Sequence, residues 1–179
     1  MKPTKQQLAD AAHKTLRDVI DHNLCVLFVG INPSLYSTAV GRHFARPGNR
    51  FWPALHLGGF TPRQLSPFED HLLPDFSCGL TNVAPRTTAR ADQLEDEELK
   101  RGGRGLIRKV SYWKPKSVAF LGVTSYRAAF NRPQAKMGLQ EEQIAKRPIW
   151  VLPNPSGLNA HFQLPDFQEL FAELRKAVC

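Results

Sequence analysis

The fold is decided by residues 26–34, which read Val26-Leu27-Phe28-Val29-Gly30-Ile31-Asn32-Pro33-Ser34. A short apolar, partly β-branched run that is followed by Gly and Asn-Pro is typical of a strand that is buried on both faces and stops abruptly. We therefore expect Asn32 at the carboxyl end of this strand. Ligands bind at that edge of open parallel sheets, because the connecting loops diverge there. Taken alone, Asn-Pro is more typical of an ordinary turn.

A second copy of the same pattern strengthens the first. Residues 149–157 read Ile149-Trp150-Val151-Leu152-Pro153-Asn154-Pro155-Ser156-Gly157, again an apolar run that ends in Asn-Pro-Ser. Two parallel strands would bring both Asn-Pro loops to one edge of one sheet. Further strands are expected at residues 78–83 and 117–122, and strands that alternate with helices predict a parallel sheet between helical layers.

The helical periodicity is clear in some segments and absent in others. A first helix is predicted at residues 5–22, with Thr4 as its N-cap, packed on the sheet within residues 1–24 of a single domain spanning 1–179. Further helices are expected after Asn49, from Asp96 onward, at residues 125–130 and from Pro165. Gly102 and Gly103 inside the predicted central helix indicate close approach of its backbone to the sheet or to a phosphate. Residues 31–50 and 61–75 are interpreted as loops and 131–147 as a polar, exposed excursion.

The composition favours a polyanionic partner. The 179 residues contain 24 Lys and Arg against 16 Asp and Glu, for a net charge of +8. Nucleic acid is the first candidate partner and an anionic membrane surface the second, and a basic enzyme without such a partner is the alternative. No apolar run approaches the ~18 residues of a membrane span, so we expect a soluble, cytoplasmic protein without a membrane partner, associated with the nucleoid if it is bacterial.

Several well-known site patterns are absent from the sequence. There is no Gly-x-Gly-x-x-Gly or Gly-Lys-Ser/Thr for phosphate binding, no His-Glu-x-x-His or paired Cys-x-x-Cys for zinc, and no Gly-x-Ser-x-Gly for a serine hydrolase. Cys25, Cys78 and Cys179 are scattered and match no metal-ligand spacing. The expectation is a reaction that uses no cofactor and no metal.

A set of short motifs carries a resemblance to a known family. They are Gly30-Ile31-Asn32-Pro33, Phe44-Ala45, Asn49-Arg50-Phe51-Trp52, Gly102-Gly103-Arg104, Leu121-Gly122 and Asn154-Pro155-Ser156-Gly157-Leu158. Because it contains these motifs in this order, the chain resembles the mismatch-specific uracil/thymine-DNA glycosylase branch of the uracil-DNA glycosylase superfamily. The resemblance implies a three-layer α/β sandwich whose central sheet has four parallel strands in the order 2-1-3-4.

The resemblance also implies roles for residues near the first Asn-Pro motif. Asn32 is a neutral amide that cannot act as a general base but can orient a water through hydrogen bonds. Phe44 would stack on the extruded base, although ordinary core packing is its alternative. Backbone N–H groups near Ile31 and Phe44 would bind the pyrimidine. The expected base pocket consists of Ile31, Ser34, Phe44 and Asn154, and Ser34 stands where relatives often have Gly.

Further roles are expected around the cavity that these motifs would form. Leu158 would fill the gap left by a flipped base, with Gly157 and Asn159 beside the opposite base, or else it packs in the core. Asp92 is a candidate base, or alternatively a helix cap or a solvated charge. Phosphate contacts are expected from arginines in two loops, namely Arg42, Arg46, Arg86 and Arg90.

Three functions are compatible with these residues. The first is a monofunctional glycosylase that removes uracil, and perhaps thymine or damaged pyrimidines, from mismatches with guanine in double-stranded DNA, acting as a monomer. The second is a DNA-binding module of the same fold that has lost catalysis. The third is a small-molecule nucleoside hydrolase, which would not need the basic charge or Leu158.

Overall fold

The computed structural model describes residues 2–12 and 14–179 and contains a central five-stranded sheet. Its strands are β1 (Val26–Gly30), β2 (Cys78–Asn82), β3 (Ser117–Leu121), β4 (Gly138–Ile144) and β5 (Arg147–Leu152). Their spatial order is β2-β1-β3-β5-β4. The four strands expected from the sequence run parallel in the expected order 2-1-3-4. The prediction of only four strands is wrong, because β4 adds an antiparallel edge beside β5.

Helices cover both faces of this sheet. In the described residues the α-helices are α1 (Lys5–Ala11), α2 (Leu35–Val40), α3 (Phe51–Leu57), α4 (Asp96–Trp113), α5 (Val123–Phe130) and α6 (Leu164–Val178). The same residues also contain 3₁₀ segments at Pro67–Phe76 and Ala91–Gln93. None of the described helices is both long and apolar enough to cross a membrane.

The continuous apolar sequence of β1 follows from burial on both faces. Phe28 points into the core formed with Phe51 of α3 and Phe171 of α6. Val29, the next residue, points into the core formed with α4 and α5, where Tyr126 is fully buried. Alternate side chains of one strand thus serve opposite cores, as the pleat requires. The expected three-layer α/β sandwich is confirmed.

The N-terminal helix is shorter than expected. Thr4 does cap it, accepting a hydrogen bond from the Gln7 N–H at 3.2 Å, but the helix ends at Ala11 instead of residue 22. It packs beside α2. Residue 13, inside the predicted helix, lies outside the described residues. Val19 exchanges backbone hydrogen bonds with Leu80 of β2 at 2.9 and 2.6 Å, because edge strands leave donors and acceptors that a passing segment can satisfy.

The strand β4 lies in the segment that was interpreted as an exposed excursion. As an edge strand it keeps many side chains in solvent, including Leu139, so its sequence is polar and lacks a strong apolar alternation. Its turn into β5 consists of Ala145 and Lys146, both with positive φ. Two-residue hairpins of this geometry normally use Asn or Gly, and the absence of those residues removed the usual sequence signal.

Two segments interpreted as loops contain short helices. Residues 31–50 include α2, whose N-terminus is capped by Ser34 through a 3.1 Å hydrogen bond from the Ser37 N–H. Residues 61–75 include most of the first 3₁₀ segment. Both helices are too short to show a reliable period in sequence.

The close approach expected at the glycines of α4 is confirmed. A Cβ on Gly102 would lie 2.1 Å from the carbonyl oxygen of Val83, and one on Gly103 would lie 2.8 Å from that of Ala129. The neighbours are the segment directly after β2 and the helix α5, in place of the expected sheet or phosphate. This packing holds the N-terminal half of α4 against the edge of the sheet where the Asn-Pro loops meet.

Candidate active site

A cavity of about 430 Å³ opens at the carboxyl ends of the parallel strands. Gly30, Asn82 and Leu121, the last residues of β1, β2 and β3, all line it. Ten residues predicted from the sequence also line it, and they come from four separate segments: Ile31, Asn32, Ser34, Phe44, Arg46, Arg90, Asp92, Asn154, Leu158 and Asn159. Arg42, Arg86 and Gly157 are not among the lining residues.

The amide of Asn32 is held in one orientation. Its Nδ2 donates to the carbonyl oxygen of Arg86 at 2.8 Å and to Oγ1 of Thr88 at 2.7 Å. The Thr88 hydroxyl in turn donates to the carbonyl oxygen of Arg90 at 2.8 Å. Since a carbonyl can only accept, the NH₂ group must face the loop after β2. This leaves Oδ1, which has no hydrogen-bond partner among the described residues, as the atom available to a donor in the cavity.

Phe44 lies between the core and the cavity. Its ring stacks on Phe51 with centroids 4.5 Å apart and planes 28° apart, and it is half-buried while lining the cavity. Its φ of 51° is unusual for a bulky residue. Phe44 therefore has features of both interpretations, core packing and a cavity wall. One face of its ring packs on Phe51, and the ring also borders the cavity.

Asn82 is a cavity residue that the sequence analysis did not select. A Cβ on Gly30 would lie 2.5 Å from Oδ1 of Asn82 and 3.4 Å from Cζ of Phe44. The missing side chain of Gly30 thus makes room for the Asn82 amide beside the Phe44 ring. That amide has no hydrogen-bond partner within the described residues. The signal was present, because Asn82 ends the second strand at the same sheet edge as Asn32.

The segment before β1 also contributes to the cavity, through Leu16. This segment is attached by polar contacts: Nε2 of His43 lies 2.8 Å from the carbonyl oxygen of Arg17, and the Thr87 hydroxyl donates to that of Lys14 at 2.8 Å. Burial lowers the pKa of His43. Because a carbonyl oxygen can only accept, Nε2 of His43 donates the hydrogen in its contact with Arg17. No local sequence pattern indicated that residues 14–19 would reach the site.

Asp92 lies at the rim of the cavity in an ion pair. Its carboxylate contacts the guanidinium of Arg90, and both side chains are largely exposed. It also lies in the short 3₁₀ segment Ala91–Gln93. The carboxylate of Asp92 is thus paired with Arg90. A role of Asp92 as a base stays a prediction.

The arginines predicted to contact phosphates differ in their surroundings. Arg42 forms a 2.7 Å ion pair with the buried Asp70. Arg86 binds both carboxylate oxygens of Glu98 at 2.7 Å, which lowers the pKa of Glu98 to about 2. Arg46 is exposed at the cavity and has no carboxylate within 4.0 Å in the described part of the chain. The predicted phosphate contact is therefore best supported for Arg46.

The segment after β5, residues 153–163, contributes Asn154, Ser156, Leu158 and Asn159 to the cavity lining and is called the Leu158 loop below. Its Asn154 accepts a hydrogen bond from the Ser156 N–H through Oδ1 at 3.0 Å. Asn159 donates from Nδ2 to the carbonyl oxygen of Asn154 at 2.9 Å. The Leu158 side chain is 75% exposed. The alternative that Leu158 packs in the core is therefore wrong.

Metal-ligating side chains do not cluster in residues 2–12 and 14–179, where no three His, Cys, Asp or Glu could hold an ion. Cys25, Cys78 and Cys179 are free thiols. Burial raises the pKa of the Cys78 thiol. Burial, followed by a hydrogen bond with Cys25, raises the pKa of Cys179 to about 12. Both thiols are protonated at neutral pH.

The comparisons with known proteins agree with this geometry. A model of the uracil DNA glycosylase superfamily matches residues 17–177, and the chain belongs to that superfamily. A solution NMR structure from Methanosarcina acetivorans, of a protein named a "putative uracil DNA glycosylase", is similar over 90% of this chain and 98% of its own, with 19% identity and a TM-score of 0.58. That likeness shows the shared fold. Membership in the superfamily supports a DNA glycosylase with DNA as its partner.

Proposed function

We propose that this protein is a monofunctional, mismatch-specific uracil-DNA glycosylase that hydrolyses the N-glycosidic bond of uracil opposite guanine and leaves an abasic site. The observation that carries the proposal is the fixed amide of Asn32. Its NH₂ group is occupied by Arg86 and Thr88, so its carbonyl oxygen is the group left to bind a water. Thymine and damaged pyrimidines in double-stranded DNA are further candidate substrates.

The cavity offers a binding place for a flipped base. Enzymes that act on a base in a duplex extrude it at a cost of a few kcal/mol, which is least for a mismatched pair. The Phe44 ring, supported from behind by Phe51, offers an aromatic surface for stacking. The Asn82 amide beside it can both donate to and accept from the polar edge of a pyrimidine. The N–H of Phe44, without an acceptor in the described residues, can bind a pyrimidine oxygen.

The hydrolysis itself needs only modest help from the nucleophile. The bond between the base nitrogen and C1′ breaks, its electron pair goes to the base, and a water oxygen bonds to C1′. Asn32 Oδ1 orients this water by accepting one of its hydrogens but cannot take the proton. Donors that face the base stabilise the negative charge developing there. The proton released by the water passes to solvent or to a carboxylate such as Asp92.

The proposal is tested with a labelled duplex that contains a single uracil opposite guanine. Purified protein should convert it into an alkali-labile strand under single-turnover conditions. Asn32→Ala should slow this step by at least ~10²-fold, the range for loss of one preorganised polar group, while the dissociation constant for the duplex changes little. Gln134→Ala, which changes an exposed amide side chain, is the matched control and should leave the rate unchanged.

Two other outcomes would contradict the proposal. DNA binding without excision of any uracil substrate by the unmodified protein would indicate a binding module of this fold. Cleavage of free nucleosides in preference to the duplex would indicate a nucleoside hydrolase. In the same assay, Asp92→Asn tests whether Asp92 acts as a base or only forms a surface ion pair. If Asp92 is a base, the variant should have a lower rate and a weaker dependence of the rate on pH. If it only forms an ion pair, the rate should not change.

A further inference from the structure

Arg50 connects two walls of the cavity. Its guanidinium donates to three carbonyl oxygens of the Leu158 loop, those of Ser156, Asn159 and Phe162, with the Asn159 contact at 2.7 Å. Its backbone N–H donates to a fourth, that of Pro155, at 2.9 Å. One residue therefore holds carbonyls on both sides of Leu158.

Leu158 has little else to hold it in place. Its side chain is 75% exposed, and its N–H makes a long hydrogen bond of 3.3 Å to the Ser156 hydroxyl. Ser156 and Asn159 flank it, and their carbonyl oxygens both bind Nη2 of Arg50. The position of Leu158 is thus set through its neighbours.

The guanidinium is committed to this loop. Its central carbon lies 5.1 Å from the ring centroid of Phe167 in α6, and within the described residues no carboxylate approaches it to 4.0 Å. Its Nε is buried without a hydrogen-bond partner. A planar fork of donors can bridge carbonyls that diverge in space, whereas the ammonium of lysine is a point charge on a flexible stem.

The same segment supports the proposed base platform. Arg50 directly precedes α3, whose first residue, Phe51, stacks on Phe44. A Cβ on Gly157 would lie 2.8 Å from the carbonyl oxygen of Gly48, so the two segments also touch through backbone. The segment that supports the Phe44 ring therefore also contacts the loop that carries Leu158.

We propose that Arg50 is a positioning residue that holds the Leu158 loop in place before DNA binds, so that Leu158 enters the base stack as Phe44 receives the base. This inference rests on the proposed function. A preordered loop avoids the entropic cost of ordering a flexible segment on binding. Loss of Arg50 should therefore act on insertion of Leu158, and not on the bond-breaking step itself.

The first test measures the loop without using activity. Arg50→Lys should raise amide hydrogen exchange in residues 156–163 by about tenfold or more while the amides of β1 and β3 stay protected. Arg63→Lys, the same change at an exposed arginine paired with Glu69, is the control. Arg50→Gln serves if the lysine variant does not fold. Unchanged exchange in a folded Arg50 variant overturns the inference, whatever the activity.

The second test is a double-mutant cycle on two substrates. Arg50→Lys should slow single-turnover excision from the uracil·guanine duplex by about 10- to 100-fold, and much less when uracil lies opposite an abasic spacer, where no paired partner must be replaced. In a protein that already carries Leu158→Ala, Arg50→Lys should slow excision little further. Two substitutions that act through the same side chain, here Leu158, do not have additive effects.

The outcomes separate the inference from the function on which it rests. Equal losses on both substrates, or fully additive losses with Leu158→Ala, would make Arg50 a general structural residue. If the unmodified protein excises uracil from no substrate, the proposed function fails, and the exchange measurement still decides whether Arg50 orders the loop.

Discussion

Gly30 and Asn82 are paired residues at the ends of β1 and β2. The Asn82 amide occupies space that any other side chain at position 30 would need. The glycine at the end of β1 therefore decides where the Asn82 amide of the neighbouring strand β2 can lie in the cavity wall.

Gly30→Ala should therefore displace the Asn82 amide and lower uracil excision by about tenfold or more. The melting temperature should change little, because the atom that must move is the end of a side chain and alanine is the better strand residue. Single-turnover excision and thermal denaturation measure the two effects. Asn82→Ala should reproduce the loss, and the double variant should add little. Full activity in Gly30→Ala would show that this amide does not contribute to the reaction.

At the scale of elements, α4 holds the loop that orients Asn32. Glu98 in its first turn binds the Arg86 guanidinium, and the Arg86 carbonyl accepts from Asn32. Gly102 allows the helix to approach the backbone at Val83, the residue after Asn82. The position of a helix on the sheet is thus transmitted to the amide at the end of β1.

Two glycines in α4 provide a matched comparison. Gly102→Ala places a Cβ 2.1 Å from the Val83 carbonyl oxygen, and such overpacking costs about 1–3 kcal/mol. Gly105→Ala meets only the end of the Arg108 side chain at 3.8 Å, so its higher helix propensity should stabilise the fold by up to about 1 kcal/mol. Thermal denaturation should show a melting temperature lowered by several degrees for the first and raised slightly for the second. Equal shifts would contradict the packing argument.

At the scale of the whole molecule, the basic residues behind the net charge of +8 do not all have the same function. Arg42, Arg86 and Arg90 already have carboxylate partners, whereas Arg46 stands exposed at the cavity. Part of the basic excess therefore serves the fold, and the remainder is available to a polyanion. The total charge alone does not distinguish these two uses.

Binding to duplex DNA should weaken at least about tenfold between roughly 50 and 200 mM salt, because each neutralised phosphate releases condensed counterions. Fluorescence anisotropy at several salt concentrations measures the slope of log affinity against log salt. Arg46→Gln should reduce that slope by about one, and Arg63→Gln, away from the cavity, should leave it unchanged. An affinity independent of salt would argue against DNA as the partner of this charge.

The sequence by itself determined the four parallel strands, their order through the family resemblance, and the two Asn-Pro loops at one sheet edge. These features are local or repeat in the chain: a buried strand must be continuously apolar, and Asn-Pro after it marks its end. Asn32 and Asn154 could be selected for the same reason, whereas Phe44 was selected as an aromatic residue among arginines and through the family resemblance. Leu158 was selected as well, although its exposure could not be read from the chain.

Only the tertiary structure decided the remaining features. The edge strand β4 is polar because one side of it faces solvent. Residues 14–19, which were predicted to be helical, lie outside α1, and Val19 pairs with Leu80 of β2. The orientation of Asn32 depends on Arg86, which is 54 residues away, and the Arg50 contacts span as many as 112 residues. Such contacts have no local signature, since they arise only when the folded sheet brings its loops to one edge.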